Sequence, residues 1–241
     1  MTPKGIFVAG TDTDAGKTVV SAALVAAMKK RSLDASYQKC VGTEGISKDG
    51  GLYNPDAVWI KQAAQLEDNL SLVNPLCFSE PLTPLAAARR ENRFFGLEEL
   101  REKALEIMRL REIVVFEGAG GLLAPLSENK TMLDLIKVLD LPVLLVGRPG
   151  LGTINHTLLS LRELAREQVL TVGYCLSGLK PEQANDPSVS LNPGLINEYT
   201  KTPYLGTLPW LDRLGEASFE ELAALAENNL DLTKLLTGTS A

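Results

Sequence analysis

A doubly wound α/β fold, with a mostly parallel sheet and helices on both faces, is predicted by two observations. Short continuous apolar runs recur along the chain, and the intervals between them carry apolar residues at helical spacing with charges on the opposite side. Continuous runs are what strands covered on both faces require, whereas a one-sided antiparallel sheet would alternate. The predicted strands are GIFVAG (5–10), ASYQK (35–39), EIVVFEG (112–118), LPVLLVG (141–147), LTVGYCLSG (170–178) and PYLGTLP (203–209). Helices are predicted at 17–31, 56–65, 83–92, 97–111, 131–139 and 154–168. Proline-rich 71–84 reads as an ordered excursion, 180–193 as an exposed loop and 218–236 as one closing helix. With no repeat and no low-complexity linker, residues 1–241 read as a single domain whose ligands bind beyond the C-terminal ends of the strands.

Composition narrows the function. The formal charge of −6 opposes a general nucleic-acid or membrane-surface role, because collecting phosphates needs a positive field. Cys40, Cys77 and Cys175 are odd in number and far apart, with no CxxC spacing, and read as reduced packing residues. The sequence MTPKGIFVAG leaves no room for the apolar segment and cleavage site of a signal peptide, and no apolar run approaches membrane-spanning length. A cytoplasmic protein acting on small molecules is expected.

GIFVAG runs into GTDTDAGKT, the strand, glycine turn and helix start of a phosphate-binding loop. Its glycines let backbone N–H groups face phosphates, Lys17 supplies a mobile positive charge, and Thr18 offers a hydroxyl to Mg²⁺. Five residues separate Gly10 from Gly16, one more than G-x4-G-K-[ST] allows. Asp12 and Asp14 are unexpected there: a carboxylate about 6 Å from a phosphate charge costs roughly 3 kcal/mol at an effective dielectric near 20. Each needs an offsetting partner, among which are loop N–H groups, Mg²⁺ and a cationic second substrate; helix capping is the alternative for either.

Further candidates emerge at the same edge. Lys39 ends the second strand in YQKCVGTEG, with Thr43 just beyond. Glu117 ends EIVVFEG and is followed by Gly118, Ala119, Gly120 and Gly121, placing a carboxylate beside backbone that can approach phosphate or metal closely. Mg²⁺ in nucleotide sites commonly takes one or two carboxylates plus phosphate oxygens, so Glu117 is a candidate ligand, with Asp56 of NPDAVWI a second. In GLGTINH, free N–H groups at a helix start near Thr153, helped by Asn155, can bind a carboxylate. His156, the lone histidine, reads as a packing or surface residue.

Together GTDTDAGKT, YQKCVGTEG, NPDAVWI, VVFEGAGG, GLGTINHTLLSL and YLGTLPWL resemble the dethiobiotin synthetase family of P-loop NTPase-like proteins, in the right order from residue 5 to about residue 211. The long acidic loop is typical of that family. The resemblance implies an enzyme that uses ATP and Mg²⁺ to carboxylate 7,8-diaminononanoate with CO₂ or bicarbonate and close the ring. It assigns Lys17, Lys39 and Thr13 to catalysis, and Thr18, Asp56 and Glu117 to the metal. Asp12, Thr13, Asp14, Ala15, Gly16, Lys17, Thr18 and Val19 would line the nucleotide, with Glu117, Gly118, Ala119 and Gly120. Thr43, Gly120 and Gly121 would meet the diamine, and Gly152, Thr153 and Asn155 its carboxylate across a homodimer interface. Many members read adenine with an Asn-Asp pair; here the stretch is Leu176-Ser177-Gly178, which leaves Ser177 and the backbone from Thr207 through Leu208, Pro209 and Trp210 to do so.

Rival readings within the same branch are a cobyrinate-type amide synthase and a ParA/MinD-like switch ATPase. The first needs a glutaminase with a nucleophilic cysteine and histidine, for which His156 alone leaves no room. The second carries a signature lysine early in the loop, where this chain has Thr11 and Asp12. A nucleotide-binding regulatory protein without turnover is disfavoured by Lys39 and Glu117 at the ligand edge.

Overall fold

The six predicted strands form one parallel sheet in a computed structural model that describes residues 5–183 and 185–238. In chain order the elements are β1 (Gly5–Gly10), α1 (Lys17–Lys30), β2 (Ala35–Lys39), β3 (Ile46–Lys48), β4 (Gly51–Tyr53), α2 (Pro55–Ala63), α3 (Leu70–Val73), α4 (Pro84–Arg90) and α5 (Leu97–Leu110). They continue with β5 (Ile113–Gly121), β6 (Pro125–Ser127), β7 (Lys130–Thr131), α6 (Met132–Leu139), β8 (Val143–Gly147), α7 (Thr153–Arg166), β9 (Thr171–Leu179), α8 (Pro187–Tyr199), β10 (Tyr204–Pro209), α9 (Phe219–Asn229) and α10 (Leu232–Gly238). The sheet order is β10-β9-β8-β1-β5-β2, so the chain goes from β1 to the edge strand β2, returns to insert β5 between them, and then crosses to the other side of β1. That reversal opens a crevice at the C-terminal end of β1, where the phosphate loop begins.

Strand periodicity divides the core. Ile6, Val8, Val115, Leu144 and Val146 face α1, α2 and α9, while Phe7, Ala9, Val114, Phe116 and Leu145 face α4 to α8. Each fully buried side chain of this size contributes about 1.5–3 kcal/mol, and both faces need it, which is why the strands read as unbroken apolar runs. α1 is buried nearly all round from Val20 to Met28, and its alanines 22, 23, 26 and 27 allow close approach of the neighbouring helix α9 through Ala223 and Ala226.

Three expectations are corrected. Segment 180–193 is not one exposed loop: α8 starts at Pro187, with Asp186 accepting from the Ser188 N–H as N-cap, while Ala184 lies outside the described residues. The closing helix is two helices. Leu230 leaves helical geometry to bridge Gly206 on β10, and the Asp231 N–H donates to the Leu205 carbonyl, so sheet-edge pairing interrupts the helix. Finally, two small hairpins, β3–β4 and β6–β7, occupy stretches where no strand was expected. The 71–84 excursion is ordered, holding Gly42 through bonds from the Gly42 N–H to Leu76 and from the Phe78 N–H to Gly42.

The Gly206 contact is steric as well as hydrogen-bonded. Its φ is +134°, and a Cβ there would stand 1.9 Å from the Asn229 carbonyl oxygen. Gly206→Ala should cost more than about 1 kcal/mol of stability, read as a lower urea midpoint with unchanged slope; an unshifted midpoint would show that the α9–β10 junction gives way freely.

Candidate active site

Parallel pairing brings the ends of β1, β2 and β5 together. Lys39 on β2 is in register with Glu117 on β5, and Gly10 on β1 pairs with Gly121. Glu117 is 1% exposed and accepts hydrogen bonds from Thr18 Oγ1 (3.1 Å), Tyr37 Oη (2.9 Å) and Lys39 Nζ (3.2 Å). Asp56, half-exposed on the first turn of α2, accepts from Lys39 Nζ (2.8 Å) and Thr18 Oγ1 (3.1 Å). Thr18, Lys39, Asp56 and Glu117 are thus one cluster.

Burial would raise the Asp56 carboxyl, but the Lys39 ammonium and the Thr18 hydroxyl outweigh it and hold the group below its ordinary value. Burial would lower Lys39, yet Glu117 and Asp56 together push it above the usual lysine range. Burial raises Tyr37 well above the usual phenol range, reinforced by Glu117, so Tyr37 acts as a neutral donor. Lys17 is lowered, by burial first and opposed by Glu117. Its Nζ donates to the Asp12 carbonyl at 2.9 Å.

Thr18 Oγ1 is within reach of two carboxylates but has one proton, so at any moment one carboxylate oxygen faces a hydroxyl lone pair. Two carboxylates and a hydroxyl converging in this way are hard oxygen donors of the kind that would hold Mg²⁺. Among the described residues, no group of three or more His, Cys, Asp or Glu side chains is clustered for a metal held by protein alone.

Local structure fixes this cluster. Asn54 caps α2 by accepting from the Asp56 N–H, and Pro55 takes the first helical position. Asn54 Nδ2 donates to the Thr43 carbonyl, and Asn74 Oδ1 accepts from the Asn54 N–H while its Nδ2 donates to the Lys39 carbonyl. Two buried asparagines therefore tie Lys39, Thr43 and Asp56 to one frame. Gly16, at φ +92°, opens α1 and leaves no room for a side chain: a Cβ would lie 2.4 Å from Ser177 Oγ. Asp14 has φ 58°, a left-handed conformation that Asp tolerates better than most residues, and it makes no side-chain hydrogen bond among the described residues.

Two cavities flank the loop. Toward β8–β10, one of about 400 Å³ is lined by Asp14, Arg148, Thr153, Ser177, Lys180 and Trp210 among others. Toward β5, a cleft of about 850 Å³ contains Thr13, Thr43, Ala119, Gly120 and Gly121 and reaches Leu159 and Glu163 on α7. Thr11 lines both.

The remaining expected residues divide between core, cavities and surface. Leu208 is fully buried in the core, and Pro209 pairs with Leu179, so only Trp210 of that trio lines a cavity. Ser177 lines the smaller cavity, and its Oγ is buried against Gly16 without a hydrogen-bond partner among the described residues. Gly118 faces Met132 and Phe7, away from both cavities, and Ala119 and Gly120 line the larger one. The side chains of Ala15 and Val19 pack into the protein. Thr153 is buried with its hydroxyl 3.3 Å from Thr157, whereas Gly152 and Asn155 are exposed; none of the three lines the cleft holding Thr43. Sequence reasoning missed Tyr37, which looks like a core aromatic in a strand. It also missed Arg148, ion-paired to Asp12, and Lys180, whose Nζ lies 5.0 Å over the Trp210 ring.

Comparison with known proteins gives concordant relatives. A family model described as an AAA domain matches residues 4–218. The chain is 35% identical over 240 residues to the ATP-dependent dethiobiotin synthetase of Thermodesulfovibrio yellowstonii, covering 97% of this chain and 98% of that protein. It is 41% identical over 207 residues to the Anaeromyxobacter sp. (strain K) protein of the same name, covering 86% and 90%. Among solved structures, the Aquifex aeolicus cell division protein MinD superposes with TM-score 0.55 at 12% identity, covering 98% of this chain and 95% of that one. A ParA family ATPase from Chlorobium tepidum gives 0.56 at 13%, covering 100% and 99%. At such low identity these two speak for the fold alone.

A depressed Asp56 carboxyl stabilises the fold at pH values above its ordinary 3.8, and that stability is lost as pH falls through the lower folded value. In protein free of metal and nucleotide, acidification from about pH 7 to about pH 2.5 should therefore narrow the gap between wild-type and Asp56→Asn urea midpoints. A gap that stays constant over this range would contradict the Lys39–Asp56 pairing.

Proposed function

The chain belongs to the ATP-dependent dethiobiotin synthetase family, and on that premise we propose that it carboxylates 7,8-diaminononanoate and closes its ureido ring with ATP. It is a ligase by family. The observation that carries the mechanistic reading is the convergence of Lys39, Thr18, Asp56 and Glu117 beneath a loop that also presents Lys17.

In the proposed sequence, one diamine nitrogen adds to CO₂ and forms a carbamate. A carbamate oxygen then attacks the γ-phosphorus of ATP, releasing ADP and leaving a carbamic–phosphoric anhydride. The second amine attacks the carbonyl carbon, expelling inorganic phosphate and closing the ring. Negative charge accumulates at each stage, and Lys17 and Lys39 are the cations positioned to offset it, each charge-assisted contact contributing about 1.5–3 kcal/mol. Thr18, Asp56 and Glu117 would hold Mg²⁺, which when bound neutralises phosphate charge. Tyr37, donating to Glu117, fixes that carboxylate's orientation.

Two cavities sharing the loop suit two substrates. The smaller one offers the Trp210 ring and Lys180 to a nucleotide base, without the Asn-Asp pair that reads adenine elsewhere, and we assign it to the nucleotide with relaxed base preference. The larger, more apolar cleft suits the alkyl chain of the diamine, with Thr13, Thr43, Gly120 and Gly121 near the reacting end. Its far wall includes Leu159, 58% exposed, and Leu151 near the start of α7 is 94% exposed. A homodimer would cover these residues and bring a second α7 start, with Gly152 and Asn155, toward the substrate carboxylate.

Purified protein given the diamine, bicarbonate, Mg²⁺ and each nucleoside triphosphate in turn should yield the cyclic urea, and Lys39→Gln should lower kcat roughly tenfold or more. Absence of product with every nucleotide would overturn the reading, and a wild-type rate in the variant would remove Lys39 from the chemistry. Sedimentation should show a species of twice the 26.0 kDa chain mass; a monomer at all concentrations would remove the shared site.

A further inference from the structure

We propose that Arg148 is a positioning residue that makes the acidic loop compatible with a triphosphate by neutralising Asp12. The inference rests on the nucleotide reading above and adds a residue to it.

The pairing follows from sheet register. Gly10 on β1 is opposite Val146 on β8, so residues two positions further along the two parallel strands, Asp12 and Arg148, leave the sheet side by side. The Thr11 N–H donates to the Val146 carbonyl at 2.9 Å, which holds the two exits together. The Arg148 guanidinium is ion-paired with the Asp12 carboxylate. Arg148 also lines the cavity assigned to the nucleotide, together with Thr11 and Asp14.

The chemistry requires such a partner. Asp12 lies in the segment that must approach phosphate, and its own carbonyl accepts from Lys17 Nζ. Without a cation, its carboxylate would offset the lysine's attraction for an anion. With Arg148 in place, the Asp12–Arg148 pair carries no net charge and acts as a brace: the Asp12 side chain is tied to the residue that follows β8 while its carbonyl orients the lysine. Arg148 and Asp12 are both partly exposed, so salt should weaken the effect.

The test is calorimetric titration of Mg-ADP and Mg-ATP into folded wild type, Arg148→Met, Arg148→Lys, and the double variant Asp12→Asn/Arg148→Met. Arg148→Met should weaken nucleotide binding roughly tenfold at low salt and less at high salt. Arg148→Lys should keep most of the affinity, and the double variant should return to within about threefold of wild type, because the charge needing compensation is gone. Unchanged affinity in Arg148→Met would overturn the proposal. A double variant as weak as the single one would overturn it too, showing Arg148 to be a direct phosphate ligand. Wild type that binds no nucleotide would sink the nucleotide reading itself, a failure separate from these.

Discussion

Burial of Glu117 at the end of a central strand is the constraint on which the rest of the site depends. An isolated buried carboxylate costs several kcal/mol, so its oxygens must be supplied with donors. Three residues on two elements supply them: Thr18 on α1, and Tyr37 and Lys39 on β2. Those partners then fix where the phosphate loop, Asp56 and Lys39 can lie. Lys39 in turn needs a second carboxylate, and Asp56 is delivered to it by the Asn54 cap of α2. The result is a polar cluster in which the interactions that stabilise the fold are the ones the proposed chemistry would use.

The same reasoning accounts for the acidic loop. Asp12 is braced by Arg148, and Asp14 occupies a left-handed backbone position beside Gly16, where most side chains are strained. Neither residue is a helix cap: the N-cap of α1 is Gly16. Glycines at 120 and 121 let β5 run close along the loop, and Ser177 supports it from the other side. The loop therefore forms a wall between two cavities.

Strand positions were legible because burial on both faces leaves unbroken apolar runs, as in 5–10 and 143–147. The phosphate loop, Lys39 and Glu117 stood out as candidates because they follow predicted strand ends, and Asp56 because it opens a predicted helix in NPDAVWI. What escaped depends on contacts remote in sequence. Arg148 meets Asp12 only through the β1–β8 register, and the Asn54–Asn74 frame joins segments whose sequences give no sign of each other. Tyr37 has the look of a core aromatic until its hydroxyl is seen to reach Glu117. The burial of the Leu208 side chain and of Ser177 Oγ escaped for a related reason: strand-end residues alternate between ligand and core, and sequence alone does not settle which way each turns. The β3–β4 hairpin did carry a signal, Asp49-Gly50, both with positive φ, of the kind that favours tight hairpins. The break between α9 and α10 had none, since it depends on Leu230 pairing with Gly206.

In the proposed mechanism this charge arrangement serves phosphoryl transfer onto a carbamate, and oxygen labelling tests that step most directly. With bicarbonate labelled in all its oxygens by ¹⁸O, the account expects one labelled oxygen in each inorganic phosphate released and one in the ureido carbonyl. Phosphate released without label, while the ring still forms, would contradict it.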